Sequence, residues 1–597
     1  MRKWVVLILV ALLIPGSMSV TAAPVESLTS LAAFYEDDAL FYVGIRTDEN
    51  LLRDLDTLIA RIAPFLPPQA QPETKLTTAL EEALQEAGFS LDDIDAWLGD
   101  TAAIGMSSDF ATLNSDNPPV AIALEVEGDA ALDFFEALFE EDVVEGEFTI
   151  DTIGDFTVYV PESDSDPVFA FGDDVLFIGA MAAALPLEAL PENPLLDNAN
   201  FSDSVATLPA EEYTMLAYIN TPVLNERVLQ GFGNADIEAP PTLATLGNSA
   251  IGQVIGFTAL DDGRSLVIDI AQVADNSVAE ALGASIFVPQ AADLSFLNRV
   301  PEDAALVIHG AEFGPSTQAG LDSFRALGDF IVDNGGLLSF FDPTGQLTGA
   351  ADMDAQTLAF VNNIDIGFLT GGLNATFAGF TGLSLERDLL PVLDGDAVLY
   401  LRVRSVDDFF LLPALPDFGL VFETSDNAAA ADIIDALVAA SEAYDSNFPV
   451  ETLGDGSALV LPLFSEASGF TYENLDLLVG ADNGMLAFGT RLAVQRALET
   501  EGGLAEDATF TAASDYLLPG AQNLWYLNLQ PVGILIEDLV AQEEVDASLE
   551  LRQARRVLSL LDSASISSVV NEEGVGVVRF VLSLAEDPIN LVAPDDQ

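Results

Sequence analysis

Apolar positions recur along this chain with two periods, and the switches between them mark its elements. In "VAIALEV" (Val120–Val126) the apolar residues are partly β-branched and alternate, the period-two pattern of a strand. The next stretch, "GDAALDFFEALFEE" from Gly128, changes to helical spacing: Leu132, Phe135 and Phe139 share one side, with Phe134 and Leu138 beside them. "TDENLLRDLDTLIARI" (Thr47–Ile62) places Leu52, Leu55, Ile59 and Ile62 on one helical stripe, with Thr47 or Asp48 positioned to cap it. "GFSLDDIDAWLGDTAAI" (Gly88–Ile104) reads as a corner. Ser90 stands at a helix N-cap, Asp93 completes a capping box three residues on, and a strand follows Gly99.

These patterns occur twice, in the same order. "YEDDALFYVGI" (from Tyr35) resembles "VPEDAALVIHG" (from Val300), and the corner resembles "GLSLERDLLPVLDGDAVLYL" (Gly382–Leu401). "PVAIALEVEGDAALDFFEALFEE" (from Pro119) resembles "DFGLVFETSDNAAAADIIDALVAA" (from Asp417), where Ile434 and Val438 stand for Phe135 and Phe139. "LPAEEYTMLAYINTPVL" (from Leu208) resembles "LPGAQNLWYLNLQPVGI" (from Leu518). Colinear matches with small insertions are what duplication leaves. Two homologous copies are expected, over residues 30–285 and 294–590, joined near "FVPQAADLSF" around Pro289. In the second corner Arg387 replaces Asp93, which predicts a broken capping box with only the Ser384 cap left. Acidic turns, "ALDDGRS" and "VNEEGVG", join strand pairs late in each copy. The expected fold is therefore α+β, mainly antiparallel sheet with helices packed on one face, and not a doubly wound parallel sheet.

Composition sharpens this. Half of the 597 residues are apolar and mean hydropathy is +0.35, enough for a core and unlike a disordered acidic chain. The net charge of −78 arises from 97 acids against only 19 Lys and Arg, with Lys at Lys3 and Lys75 alone. Such a chain repels phosphate backbones and anionic headgroups, so nucleic acid and anionic membrane surfaces are not expected partners. Its charge fits either adaptation to a saline or cation-rich medium or drift of a surface that has only to stay soluble. The absence of cysteine excludes disulfides, thiol nucleophiles and lipobox anchoring.

Arg2 and Lys3, the apolar run Trp4–Ile14, the break at Pro15–Gly16 and "SVTAAP" read as an export signal over residues 1–22, cut after Ala22. The expected location is secreted or extracytoplasmic. Retention of the segment as an N-terminal membrane anchor is the alternative, although the run is short for a span.

The corner, with Trp97-Leu98-Gly99-Asp100 in one copy and Leu390-Pro391 followed by Gly395-Asp396 in the other, resembles the hallmark of a bacterial exported family known as domain of unknown function 3352. The resemblance implies an N-terminal signal or anchor, an opening strand of the "P-x-D-A" kind and a repeated α+β layout. Neither copy carries the complete "LPWLGD"-like phrase. The resemblance brings no catalytic residues.

Candidate chemistry is sparse. No Gly-Lys-Ser/Thr P-loop occurs, "GDGSAL" at Gly454 lacks the third glycine of a dinucleotide fingerprint, and "GNSAIG" at Gly247 misses nucleophile-elbow spacing. His309 is the one histidine, on an opening strand, opposite Gly44 in the other copy; it reads as structural and excludes multi-His zinc sites within one chain. Paired carboxylates for glycoside hydrolysis are possible by composition, yet nothing singles out a pair, and Trp97 and Trp525 are few for a sugar cleft. The acidic loops at Glu162–Pro167 and Asp394 fail the EF-hand pattern, leaving loose Ca2+ association with solvated turns and no cofactor. No catalytic or cofactor-binding residue is assigned. The expected function is non-enzymatic binding or scaffolding at the cell surface or envelope. The alternatives are a carrier of apolar, lipid-like ligands, for which the Phe-rich helices over sheet provide material, and a carboxylate-dependent hydrolase.

Overall fold

A computed structural model describes residues 23–48, 56–57, 75–106, 120–162, 167–179, 185–234, 250–260, 264–274, 287–333, 368–403, 416–443, 448–454, 456–462, 476–499, 503–541, 558, 560–571 and 574–585. The signal segment, nearly all of the helix expected over 47–62, the acid-rich centre of the loop at 162–167 and "GNSAIG" up to Ser249 lie outside the described residues. The chain divides into two compact units, Met1–Ala239 with Ala244–Asp275, and Pro240–Leu243 with Asn276–Gln597.

In the first unit the strands are β1 (Ala23–Pro24), β2 (Phe41–Arg46), β3 (Leu98–Met106), β4 (Val120–Val126), β5 (Phe148–Ile153), β6 (Phe156–Pro161), β7 (Val168–Phe171), β8 (Val175–Gly179), β9 (Glu212–Tyr213), β10 (Met215–Ile219), β11 (Ala250–Leu260) and β12 (Ser265–Ala274). Apart from the small β1–β9 pair, they hydrogen-bond in the order β5-β6-β7-β8-β4-β3-β2-β10-β11-β12, every neighbour antiparallel. Its helices include α1 (Val25–Ser30), α2 (Leu76–Ala87), α3 (Leu91–Asp95), α4 (Gly128–Glu145), α5 (Ala199–Ala206) and α6 (Thr221–Asn234).

The second unit contains β13 (Leu306–Gly310), β14 (Ala397–Arg402), β15 (Asp417–Glu423), β16 (Val450–Leu453), β17 (Gly456–Pro462), β18 (Asp476–Asp482), β19 (Met485–Thr490), β20 (Asn523–Asn528), β21 (Leu561–Val570) and β22 (Val575–Leu584). Their order is β16-β17-β18-β19-β15-β14-β13-β20-β21-β22, again antiparallel throughout. Its helices include α7 (Phe313–Asp333), α8 (Phe368–Thr381), α9 (Asn427–Ala443), α10 (Arg491–Glu499), α11 (Ala508–Ser514) and α12 (Leu529–Ala541).

The sheet is antiparallel as expected, but the helices divide between its two faces. On one face of the first unit, α1 and α5 bury Tyr42, Leu216 and Tyr218. Phe201 stands edge-on to Tyr42 and Tyr218, and the Tyr42 hydroxyl donates to the Leu28 carbonyl at 2.7 Å. Phe510 meets Tyr526 in the same way in the second unit, at 5.0 Å and 90°. On the opposite face, α4 lays Phe135 and Phe139 over Phe169 and Tyr159, and α9 lays Ile433 and Ile434 over Leu459, Ala481 and Leu486. The reason lies in the strands: β7 and β8 are buried throughout, and on β2 and β10 Tyr42, Leu216 and Tyr218 alternate with the apolar Val43 and Ala217, so both faces are apolar and both take cover.

The corner follows its sequence in detail. Ser90 accepts from the Asp93 amide at 3.3 Å and Asp93 accepts from the Ser90 amide at 2.7 Å, a complete capping box. The second corner is not broken as expected. Its Ser384 caps Arg387, and the returning carboxylate comes from the next residue: Asp388 accepts from the Ser384 amide at 2.7 Å. The turn Leu385–Leu389 is a π-helix, and this wider turn brings a residue four places on, instead of three, back to the cap. Trp97 packs into an aromatic cluster with Phe134 and Phe135, and its indole nitrogen has no hydrogen-bond partner among the described residues. It is core.

Candidate functional site

Alternation gives each strand two sets of side chains, and the register aligns one set from the ten strands of each unit's main sheet. In the first unit the row reads Ile150, Tyr159, Phe169, Ile178, Ile122, Ile104, Val43, Ala217, Ile255, Ile270. In the second it reads Val450, Leu459, Val479, Phe488, Leu420, Leu399, Ile308, Trp525, Ile566, Phe580. Every member is apolar or aromatic.

Burial varies along each row, and beyond α4 and α9 the helix α6 packs against β11 and α12 against β21. Under α4, Tyr159, Phe169 and Ile178 are buried; on the last five strands, Ile104, Val43, Ala217, Ile255 and Ile270 are half-buried. In the second unit Leu459 under α9 is buried, Val479, Phe488, Leu420, Ile308, Ile566 and Phe580 are half-buried, and Val450, Leu399 and Trp525 are 51%, 38% and 52% exposed. The positions flanking the row on these strands are also uncharged: Phe41, Met106, Ile219, Gln253 and Gln272 in one unit, Leu306, Leu401, Leu527, Ala564 and Leu582 in the other. An uncharged face is unusual on a chain with 19% charged residues. Residues half in contact with solvent and apolar on both sides are suited to receive apolar matter, since removing such surface from water stabilises by about 25 cal/mol per Å².

The buried face carries the one histidine. His309 is 1% exposed, its Nε2 lies 3.0 Å from Oδ2 of Asp396, and its ring stacks on Phe296 at 5.8 Å. The same Asp396 oxygen accepts the Asp293 amide at 2.7 Å. The carboxylate therefore ties an opening strand to the segment before it. Nδ1 is buried, with no hydrogen-bond partner among the described residues. Gly44 holds the corresponding place on β2, and a side chain there would strike the Leu28 carbonyl, 2.0 Å from a built Cβ. The α1 backbone thus excludes a histidine from the first unit. Sequence reasoning singled out His309 but missed Asp396 as its partner; the visible signal was Asp396 two residues after Asp394 in a short-range acidic turn, which gives no hint of a contact 87 residues away.

Carboxylates elsewhere serve arginines and backbone. Arg491 bonds Glu451 and lies 3.5 Å from Asp476, Arg325 bonds Glu386, and Arg402 bonds Asp303. The Arg387 guanidinium and the Ser384 amide hold the Asp388 carboxyl down to about 2. Hydrogen bonds from Ser90 lower Asp93. Among the described residues no three Asp, Glu or His side chains gather to hold a metal ion. Nor is any described helix long and apolar enough to cross a membrane.

The fold and this site define a class: a mixed helix-and-strand protein with large antiparallel sheet, each unit carrying a continuous apolar row on one sheet face. The chain belongs to the family described as "Protein of unknown function (DUF3352)", which matches residues 4–584. No curated protein matches it. Among solved structures, crystal form III of TP0453 is similar at 12% identity over 45% of this chain and 90% of that one, with a TM-score of 0.20. Crystal form IV of TP0453 is similar at 11% identity over 45% and 88%, with a TM-score of 0.21.

Proposed function

We propose that this protein is an exported, non-enzymatic binding protein of the cell surface or envelope, that its two units are tandem copies of one ancestral α+β unit, and that it binds apolar ligands. The observation that carries the binding reading is the uncharged, half-buried row on the last five strands of each sheet, with Leu399 and Trp525 exposed. It favours the carrier reading over a pure scaffold, which needs no such face. The copy reading is supported by strand orders that agree position for position, and by paired details such as Phe201 on Tyr218 and Phe510 on Tyr526. Export is supported by the signal-like residues 1–22. The hydrolase alternative has no observation behind it.

The test is purification of the protein from its native source, followed by native mass spectrometry, solvent extraction and titration with an apolar fluorophore. A co-purifying apolar molecule, or saturable dye enhancement that the extracted molecule competes away, is the expected result. Absence of both overturns the binding reading and leaves the scaffold.

A further inference from the structure

The hairpin joining β18 to β19 holds a reactive pair. Asp482 and Met485 are cross-strand partners, so the turn between them is Asn483–Gly484. Both residues have positive φ, 51° and 76°, as in the two-residue turn that matches strand twist. Asn-Gly is also a dipeptide prone to ring closure, because glycine has no side chain to hinder its nitrogen from attacking the amide carbon of the asparagine before it. Asn483 is exposed, so water reaches the pair.

We propose that Asn483 is a deamidation site that the fold holds shut, with Asn427 as its guard, and that its reaction detaches the end of α10. The Gly484 nitrogen, its proton released to water, bonds to Cγ of Asn483, and the side-chain nitrogen leaves as ammonia. Water then opens the five-membered imide at either carbonyl, which gives aspartate or isoaspartate at position 483.

Both reacting groups are occupied in the fold. The Gly484 amide donates to Oδ1 of Asn427, at the start of α9, at 2.5 Å. The side-chain nitrogen of Asn483 donates to the Leu498 carbonyl in the last turn of α10 and to Oδ2 of Asp482, each at 3.2 Å. The Gly484 carbonyl accepts the Thr424 amide at 2.8 Å, which ties the turn to the end of β15. Ring closure therefore waits on local opening of the turn.

The product cannot remake these contacts. A carboxylate has no hydrogen to donate to Leu498, and it stands beside the carboxylate of Asp482. Isoaspartate also adds a carbon to the backbone, which a two-residue turn cannot absorb without losing register. Val494, Ala497 and Leu498 of α10 lie in the core, so the loss falls on an element that the second unit needs. The first unit places Asp173 and Asp174 at the matching positions, where there is no side-chain amide to lose.

The full chain is incubated at mildly alkaline pH in buffer and in urea, and peptide mapping follows deamidation at Asn483. Asp333-Asn334-Gly335 repeats the residues Asp482-Asn483-Gly484 and gives the intrinsic rate in urea. The two sites should react alike in urea, and Asn483 should be at least about tenfold slower in buffer, since more than one hydrogen bond must break. Asn427→Ala should speed the reaction in buffer about fivefold, the effect of one hydrogen bond on the opening. Asn427→Asp, which keeps the acceptor oxygen, should stay at the wild-type rate. Asn427 is exposed, and circular dichroism checks that both variants fold. Asn483→Asp, one of the two products, should melt below wild type. Equal rates at Asn483 in buffer and urea overturn the closed site. A wild-type rate in Asn427→Ala overturns Asn427 as the guard, and an unchanged melting temperature in Asn483→Asp overturns the detachment of α10.

Discussion

A Cβ built on Gly99 would lie 2.6 Å from Cγ of Glu125, and one on Gly395 would lie 2.7 Å from Oε2 of Glu423. The glycine of each Gly-Asp corner is there because a glutamate from the neighbouring strand crosses it. Those glutamates are occupied: Glu125 accepts the Thr101 hydroxyl at 2.8 Å, and Glu423 accepts the Asp396 amide at 3.4 Å. Gly395→Ala forces a shift in this packing and should cost about 1–3 kcal/mol, read from urea denaturation. The second cap makes a pH prediction. Asp388 has a folded pKa depressed from 3.8 to about 2, so its contribution is present above 3.8 and fades as pH falls through about 2. Wild type and Asp388→Asn should therefore differ in melting temperature by a constant amount at neutral pH and converge below pH ~4. A gap that persists unchanged to pH ~2 would show that the carboxylate's charge is not what the cap uses. The Ser caps were legible in the sequence because capping is local. Asp388 was not, since a three-residue spacing rule looks at Arg387 and cannot foresee a π-turn.

At the scale of elements, α4 and α9 bury the outer part of each row, while α6 packs against β11 and α12 against β21. Phe135 meets Phe139, Phe169 and Phe171, with ring centroids 5.7, 5.9 and 5.0 Å away. Phe135→Ala should lower stability by about 3–5 kcal/mol, by lost burial and the cavity left behind. Ile534→Ala on α12 removes a side chain that is already exposed and should change stability by less than ~0.5 kcal/mol. Calorimetry on the pair tests the assignment, and similar losses from both would contradict it. Helical periodicity in "GDAALDFFEALFEE" predicted the buried side of α4 correctly, because one stripe of a helix can face only one way. The strands were different. Alternation in "VAIALEV" named two apolar sets without saying which face would meet a helix, so helices were expected on one face where both are used. His309 shows the same limit: its isolation on a strand was legible, its contact with Asp396 was not.

For the whole molecule the dominating quantity is −78. Exposed like charges repel, and added salt screens them within about 10 Å at 0.1 M. The melting temperature should therefore rise with NaCl, and the effect should level off once screening is complete. A flat melting temperature across both NaCl and Ca2+ series would favour drift over adaptation to a saline medium. The same charge makes the apolar rows conspicuous, since acids crowd the sequence and none stands on either row.

The sequence by itself determined the periods, the caps, the antiparallel hairpins, the family and the exclusion of cysteine and multi-histidine chemistry. These depend on residue identity and short spacings, which do not change with what packs nearby. The tertiary structure decided which of two apolar rows each helix covers, where that cover ends, and which distant carboxylate meets His309. A strand's alternation is symmetric between its faces; only residues far along the chain, brought over one face and not the other, break that symmetry and leave an apolar surface open.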